Sequence, residues 1–144
     1  MKRLGTRIHA AVYRRTKGRL LGRVGGQPVL LLRTIGRRSG RSHETPVQYL
    51  PDHDAFVVVA ANAGAARPPA WYLNLGADPD ARVQLGARTI DVRAREVLGE
   101  ERAALWQRLV GANRYLERTA RKARRELPLL LLEPASGPAS AAPA

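Results

Sequence analysis

Apolar runs separated by polar turns between residues 28 and 133 predict a domain built mainly from β-strands. Segments 28–34, 46–50 and 55–61 are rich in strand-forming residues, and the run Val29–Leu32 is continuous, as expected of a strand buried on both faces. Segments 81–85 and 87–97 flank Gly86 and predict a hairpin whose second arm has one face exposed to water. A last apolar run at 128–133 predicts a sixth strand.

Helical spacing of apolar residues marks four further segments. They are a basic amphipathic segment at 2–17, a short one at 70–75, one that begins at Gly99 and carries Leu105 and Leu109, and a strongly basic one at 115–125. Because helices do not alternate with strands, a doubly wound parallel sheet is disfavoured. We therefore predict a mainly β fold, an antiparallel barrel of about six strands with peripheral helices.

The predicted domain organisation has three parts. Residues 1–17 form a basic N-terminal helix, residues 18–134 form the barrel, and residues 135–144, rich in Ala, Pro and Ser, form a disordered tail. No run approaches the roughly 20 apolar residues of a membrane span, and the N-terminus lacks the apolar centre of a signal peptide. The expected location is cytoplasmic, with peripheral contact to the inner face of the cell membrane through the N-terminal helix.

The amino-acid composition limits which kinds of functional site and partner the protein can have. The chain of 144 residues has no cysteine, which excludes disulfides, thiolate metal sites and a cysteine nucleophile. Its three histidines, His9, His43 and His53, are too scattered to predict a metal site. Lys and Arg outnumber Asp and Glu by 25 to 12, a net charge of +13, so an anionic partner is expected. Nucleic acid, a membrane surface and a polyanionic small molecule all qualify.

The segment Ile35–Pro46, between the first two predicted strands, has the composition of an anion-binding turn. Glycines Gly36 and Gly40 allow backbone N–H groups to converge on one point, and arginines beside them supply planar donors for phosphate and carboxylate. No Gly-x-Ser-x-Gly or HExxH motif is present, so a hydrolase is not expected. An enzyme of this kind would depend on a cofactor with its own reactivity, which the protein binds and orients.

Several motifs together resemble the deazaflavin (F420)-dependent nitroreductase family. They are Gly36-Arg37-Arg38-Ser39-Gly40, Thr45-Pro46, Ala61-Asn62-Ala63-Gly64 and Pro69-Ala70-Trp71-Tyr72-Leu73-Asn74-Leu75, and the similarity extends over roughly residues 20–134. The resemblance implies an FMN-binding-like split β-barrel that binds reduced coenzyme F420, an 8-hydroxy-5-deazaflavin with a phosphate and an oligoglutamate tail. It also implies hydride transfer to a quinone, a nitroaromatic compound or another unsaturated acceptor. FMN is the alternative cofactor.

Carried over by position, the resemblance implies the following site. The cofactor-binding residues are Arg37, Arg38, Ser39, Gly40, Arg41, His43, Thr45, Pro46, Ala61, Asn62, Ala63, Gly64, Arg67, Trp71, Tyr72 and Asn74. The proton that accompanies the hydride is expected from Ser39, Tyr72, Tyr115 or water. The family often has a basic residue in place of His43, a glycine in place of Ala63 and several tyrosines around Tyr115, so the identity of the acceptor stays open.

Two other functions remain alternatives. One is a non-catalytic barrel that binds flavin, haem or fatty acid, because fold alone does not determine function. The other is a basic nucleic-acid-binding module, which is disfavoured because the aromatic residues do not alternate with the arginines as stacking platforms would. If the acceptor is a membrane quinone, the basic N-terminal helix is expected to bind an anionic membrane surface.

Overall fold

One antiparallel sheet forms the body of the protein. The computed structural model describes residues 23–24 and 27–135, so the predicted helix at 1–17 and the tail beyond residue 135 lie outside the described residues. The strands are β1 (Arg23–Val24), β2 (Gln27–Ile35), β3 (Ser42–Gln48), β4 (Leu50–Asp52), β5 (Ala55–Val59), β6 (Asp80–Leu85), β7 (Arg88–Glu96) and β8 (Leu129–Pro134). The helices are α1 (Ala70–Ala77), α2 (Gly99–Ala112) and α3 (Leu116–Ala123), with a 3₁₀ turn at Asn62–Gly64.

The sheet curls so that its two ends come together. Its strand order is β3-β2-β6-β7-β8-β5-β4, every pairing is antiparallel, and β1 pairs with the start of β2. The end strands β3 and β4 follow each other in the chain with only Tyr49 between them. This arrangement is a split barrel with helices outside, which confirms the predicted fold class.

The interior of the barrel is apolar. Leu30 and Leu32 of β2 alternate with outward residues and meet Phe56, Val58 and Leu132 across the barrel. Helix α1 covers one end of this core with Trp71 and Leu75, which are both buried. Trp71 is only 7% exposed, so it is mainly a packing residue.

A second apolar cluster lies outside the barrel. There β5 and β8 present Val57, Leu129 and Leu131 to the helices α2 and α3, which contribute residues such as Leu109 and Leu116. Strands β5 and β8 are therefore buried on both faces, which is the physical reason for their continuous apolar runs. Among the described residues, no helix has both the length and the apolar character needed to cross a membrane.

The largest differences from the predicted boundaries concern β3 and β4. The second strand was expected to begin at Pro46, but β3 begins at Ser42 because the ladder with β2 continues to the pair Ile35–Ser42. The turn between β2 and β3 is therefore only six residues long, Gly36–Arg41. Residues Leu50–Asp52, in part expected to be a turn, pair with β5 as the short strand β4.

Candidate functional site

A cavity of about 1550 Å³ lies beside the turn between β2 and β3. Its walls come from the turn 36–41, the strands β3, β4 and β5, the loop 60–67, the start of α1, and the junction between α2 and α3. The volume exceeds the roughly 300–1,000 Å³ of common small-molecule sites, so the cavity has room for more than one ligand.

The turn 36–41 has a defined internal structure. Gly36 donates its N–H to the carbonyl of Arg41 at 2.7 Å, and Gly40, with φ of +69°, donates to the carbonyl of Gly36 at 2.9 Å. The hydroxyl of Ser39 accepts the N–H of Arg41 at 3.1 Å and lies 3.4 Å from Nε2 of His43. These contacts hold the turn in one conformation from which its arginines extend.

A buried amide connects this turn to helix α1. The side-chain oxygen of Asn74 accepts the backbone N–H of Arg37 at 3.2 Å and a guanidinium N–H of the same residue at 3.4 Å. The Asn74 amide nitrogen donates to the hydroxyl of Thr34 at 3.1 Å. Thr34 and Asn74 are the buried polar side chains of the described core, so each satisfies the other. Asn74 therefore positions the turn from inside the barrel.

The cavity wall carries a cluster of unneutralised positive charge. Arginines Arg37, Arg38, Arg41 and Arg67 line it, and none of them forms an ion pair within the described part of the chain. The single acidic residue on the wall, Glu44, lies opposite Arg33 and pairs with it at 3.6 Å. Such a cluster attracts polyanionic ligands.

Arginines on the outer face of the sheet behave differently. Arg82 pairs with Asp91 at 2.8 Å, and Arg93 pairs with Asp80 at 3.2 Å. These arginines of the sheet are thus neutralised by carboxylates, whereas the four arginines of the cavity wall are not.

The loop 60–67 forms the opposite edge of the cavity and has an uncommon backbone. The backbone of Ala61 is in the right-handed helical region, and Asn62, Ala63 and Gly64 follow with φ of 48°, 53° and 81°. A right-handed residue followed by a left-handed one turns successive N–H groups toward a common point, a geometry that binds anions or oxygen atoms. The N–H groups of Asn62 and Ala63 donate to no acceptor in the described part of the chain.

Away from the arginines the cavity becomes apolar. Leu50 of β4 and Val57 and Val59 of β5 line this part and pack with Leu109 of α2 and Leu116 of α3, so these residues form one apolar wall. The cavity thus has a cationic end and an apolar end, with the edge formed by Ala61–Ala63 as part of the same wall.

Most of the predicted site residues line this one cavity. They are Arg37, Arg38, Ser39, Arg41, His43, Thr45, Pro46, Ala61, Asn62, Ala63, Arg67, Trp71 and Asn74. Gly40 and Gly64 are not part of the lining, although each has a positive φ that shapes an adjacent wall.

The two predicted tyrosines lie elsewhere. Tyr72 lines a separate crevice of about 190 Å³, and its hydroxyl donates to Glu96 at 2.6 Å. This hydrogen bond, with a smaller effect of burial, raises the pKa of Tyr72 to about 12. Tyr115 is 62% exposed, and the guanidinium of Arg118 lies 6.0 Å from its ring centroid. The structure brings neither hydroxyl into the cavity lining.

Sequence reasoning missed the apolar end and one polar residue. The apolar lining residues were expected only as strand or helix core, and no local pattern distinguishes a leucine that borders a cavity from one that packs fully. Arg125 was also missed. Its guanidinium binds carbonyls of the loop 60–67, although in the sequence it is one member of a basic run.

Comparison with known proteins identifies the family. The model of the F420H(2)-dependent quinone reductase family matches residues 5–134. The chain is 37% identical over 131 residues to an F420H(2)-dependent quinone reductase of Mycobacterium tuberculosis, an alignment that covers 88% of this chain and 87% of that protein.

Solved structures agree at the level of the fold. The chain is similar to the structure of an F420-H2 dependent reductase, FDR-A, with 32% identity and a TM-score of 0.67 over 74% of this chain and 94% of the other. A protein of Listeria innocua described as a pyridoxamine 5'-phosphate oxidase shares the fold at 12% identity and a TM-score of 0.52, over 74% and 83% of the two chains. The family model covers nearly the whole chain, and this chain therefore belongs to the F420H(2)-dependent quinone reductase family.

Proposed function

We propose that this protein binds reduced coenzyme F420 and catalyses transfer of its hydride to a quinone. The observation that carries the proposal is the cavity with an unpaired cationic end and an apolar end. The family and the relative from Mycobacterium tuberculosis support the same reaction class.

The cationic end fits the anionic tail of the cofactor. Guanidinium groups of Arg37, Arg38 and Arg41 can each form charge-assisted hydrogen bonds to phosphate or glutamyl oxygens, and Arg67 adds a fourth from the facing loop. The ring would then lie between β3, at Thr45 and Pro46, and the free N–H groups of Asn62 and Ala63. When bound, the reduced deazaflavin supplies the hydride from its ring carbon.

The apolar end fits the acceptor. A quinone ring is flat and largely apolar, and a nitroaromatic ring has the same shape and polarity. Apolar side chains from β4, β5, α2 and α3 exclude water from one side of such a ring and leave its other face toward the cofactor. We propose that the protein acts here by binding and orientation.

For the proton, we propose water as the donor. Ser39 is the predicted hydroxyl that lines the cavity, but it lies in the turn 36–41 at the cationic end, away from the apolar end where the quinone would bind. With F420 at saturating concentration, Ser39→Ala and Tyr115→Phe are both expected to leave the rate of quinone reduction unchanged. A slower rate in one of the two variants would assign the proton to that residue.

The test of the proposal is a fluorescence titration of F420 with purified protein. Replacing Arg37 and Arg38 together by Ala should weaken binding by about 10-fold or more for each charge-assisted hydrogen bond that the substitutions remove. Arg88→Ala is the matched control, because Arg88 is an exposed arginine of β7 outside the cavity. Equal affinity in the double variant and the control would contradict the proposed grip on the tail.

The same titration separates the alternative functions. Binding of FMN, haem or a fatty acid with no response to F420 would favour a non-catalytic barrel. Salt-sensitive binding of nucleic acid, with no response to F420, would favour the nucleic-acid module.

We further propose that the N-terminal segment brings the protein to an anionic membrane, where quinones dissolve. Residues 1–22 contain seven Lys or Arg and no acidic residue. Co-sedimentation with liposomes that contain anionic lipid should fall when residues 1–17 are deleted. Equal binding of the full and shortened chains would overturn this part of the proposal.

A further inference from the structure

Arg125, which follows α3, forms hydrogen bonds to four carbonyl groups of the loop 60–67. Its Nε donates to Ala65 at 3.1 Å, and its two terminal nitrogens donate to Ala60 at 3.3 Å. One terminal nitrogen also reaches the carbonyls of Ala61 at 3.2 Å and Arg67 at 3.4 Å. No carboxylate in the described part of the chain forms an ion pair with Arg125. Its guanidinium group bonds instead to the carbonyl groups of this loop.

The bond to Ala61 sets the direction of a free donor. In a trans peptide unit the carbonyl and the N–H point in opposite directions. Because the carbonyl of Ala61 points to Arg125, the N–H of Asn62 in the same peptide unit points away from Arg125. Asn62 is part of the cavity wall, and this N–H has no acceptor in the described part of the chain.

The backbone conformation of Asn62 and Ala63 is unfavourable unless other groups stabilise it. Asn62 and Ala63 have positive φ, which costs energy for residues with a Cβ. Helix α3 gives some of the support, since Nζ of Lys122 lies 3.4 Å from the carbonyl of Ala63 and its stem packs against Gly64. Arg125 provides most of the side-chain hydrogen bonds to this loop, and it does so from outside the cavity lining.

We propose that Arg125 is a positioning residue that holds the loop 60–67 so that the N–H groups of Asn62 and Ala63 bind the polar edge of the deazaflavin ring. The inference rests on the proposed function. The inference extends that function, because it gives Arg125, which does not touch the ligand, the role of orienting the groups that bind the ring. Tail binding depends on the arginines of the turn 36–41, so ring and tail affinity are separable.

The experiment compares Arg125→Gln and Arg125→Lys with Arg121→Gln. Arg121 is an exposed arginine of α3, so its replacement makes the same charge change without touching the loop. In the apo proteins, hydrogen exchange of the bonded loop amides, those of Ala61, Gly64 and Ala65, should be faster in Arg125→Gln by about 10-fold and unchanged in Arg121→Gln. It should be intermediate in Arg125→Lys, which keeps the charge but loses the planar donor set.

Ligand binding gives the second readout. Affinity for a tail-less deazaflavin, the ring with its ribityl chain alone, should fall about 10-fold in Arg125→Gln, and the absorption spectrum of the bound ring should shift. Affinity of the tail-binding site should not change. It is measured as the concentration of inorganic phosphate that displaces intact F420. Thermal unfolding of all variants verifies that each is folded.

The outcomes are distinguishable. Unchanged exchange of the loop in Arg125→Gln would overturn the positioning role, whatever the wild-type protein binds. Faster exchange with unchanged affinity for the tail-less ring would overturn the link to ring binding and leave the proposed function intact. Failure of wild-type protein to bind any deazaflavin would overturn both.

Discussion

The side chain of Asn74, buried in helix α1, accepts two hydrogen bonds from Arg37 in the turn between β2 and β3. The contact spans 37 positions of the chain, so it orients a surface arginine from inside the core. Its strength comes from burial, because the amide is only 5% exposed and its nitrogen binds Thr34.

Replacement of Asn74 by Ala should therefore affect both stability and binding. It leaves the hydroxyl of Thr34 and the N–H of Arg37 without their partner, a cost of about 1–3 kcal/mol in the free energy of unfolding. F420 affinity should fall because the turn is less fixed. Denaturant unfolding and fluorescence titration measure the two effects. If the effects of Asn74→Ala and Thr34→Ala simply add in the double variant, the coupling through this amide is absent.

Gly36 lies against the side chains of Ser39 and His43. A Cβ there would lie 2.6 Å from Oγ of Ser39 and 2.7 Å from Nε2 of His43, so both side chains would have to shift and their contact would change. Gly36→Ala should lower F420 affinity by about 10-fold, the equivalent of one charge-assisted hydrogen bond. Gly111→Ala is the control: no atom lies within 4 Å of its Cβ, and alanine favours the helix α2. Equal affinity in both variants would contradict the role of Gly36.

Ala63→Gly should stabilise the protein. The residue has φ of 53°, where glycine avoids the clash of a Cβ, so we expect a gain of about 0.5–1 kcal/mol. Ala65→Gly is the matched control, since Ala65 has φ of −67° and the change only adds freedom to the unfolded chain. Thermal unfolding should place the midpoint of Ala63→Gly above wild type and that of Ala65→Gly below. The opposite order would show that Ala63 is not strained.

The pair Tyr72–Glu96 predicts how stability depends on alkaline pH. The hydrogen bond to the carboxylate raises the pKa of Tyr72 from 10.0 to about 12 in the folded protein, whereas in the unfolded chain it stays near its ordinary value. The neutral phenol is therefore favoured by folding. Its contribution is complete below about pH 10 and disappears as the pH rises to about 12.

Titration of tyrosinate absorbance tests this directly. Wild-type protein should show a tyrosine ionisation step near pH 12, and Tyr72→Phe should lack that late step. The difference in the free energy of unfolding between wild type and Tyr72→Phe should shrink above about pH 10. A Tyr72→Phe titration with the same late step as wild type would assign it to another group.

Most elements of the fold follow from local patterns. The runs at 28–34, 55–61 and 128–133 were recognisable as strands because burial on one or both faces leaves a repeat of two or a continuous apolar run. The predicted ends of strands were less accurate where hydrogen bonding to a neighbouring strand decides how far a strand extends. Ser42–Thr45 is polar and looks like turn, yet it is strand because β2 offers it a partner up to Ile35.

Some parts of the candidate site can likewise be recognised in the sequence, and others cannot. The turn 36–41 is marked in the sequence by glycines and arginines, and Gly40 has the positive φ that favours glycine. The expectation that its backbone N–H groups converge on an anion is wrong for Gly36, Gly40 and Arg41, whose N–H groups bond within the turn, so the arginine side chains are the main donors that remain. The hydrogen bonds of Arg125 with the loop 60–67 have no such mark, because a basic run beside a helix is usual on a solvated surface. Resemblance to a family located Tyr72 and Asn74 together, but only packing shows that one faces Glu96 and the other the turn.

The sequence by itself determined the class of fold, the place of the turn rich in glycine and arginine and the net positive charge, because strand periodicity, glycine positions and net charge are properties of single residues and their neighbours. Tertiary structure alone decided which arginines stay unpaired, which loop N–H groups remain free and where the cavity becomes apolar. Those features depend on contacts between segments far apart in the chain, such as Asn74 with Arg37 and Arg125 with Ala61, and no local pattern encodes such contacts.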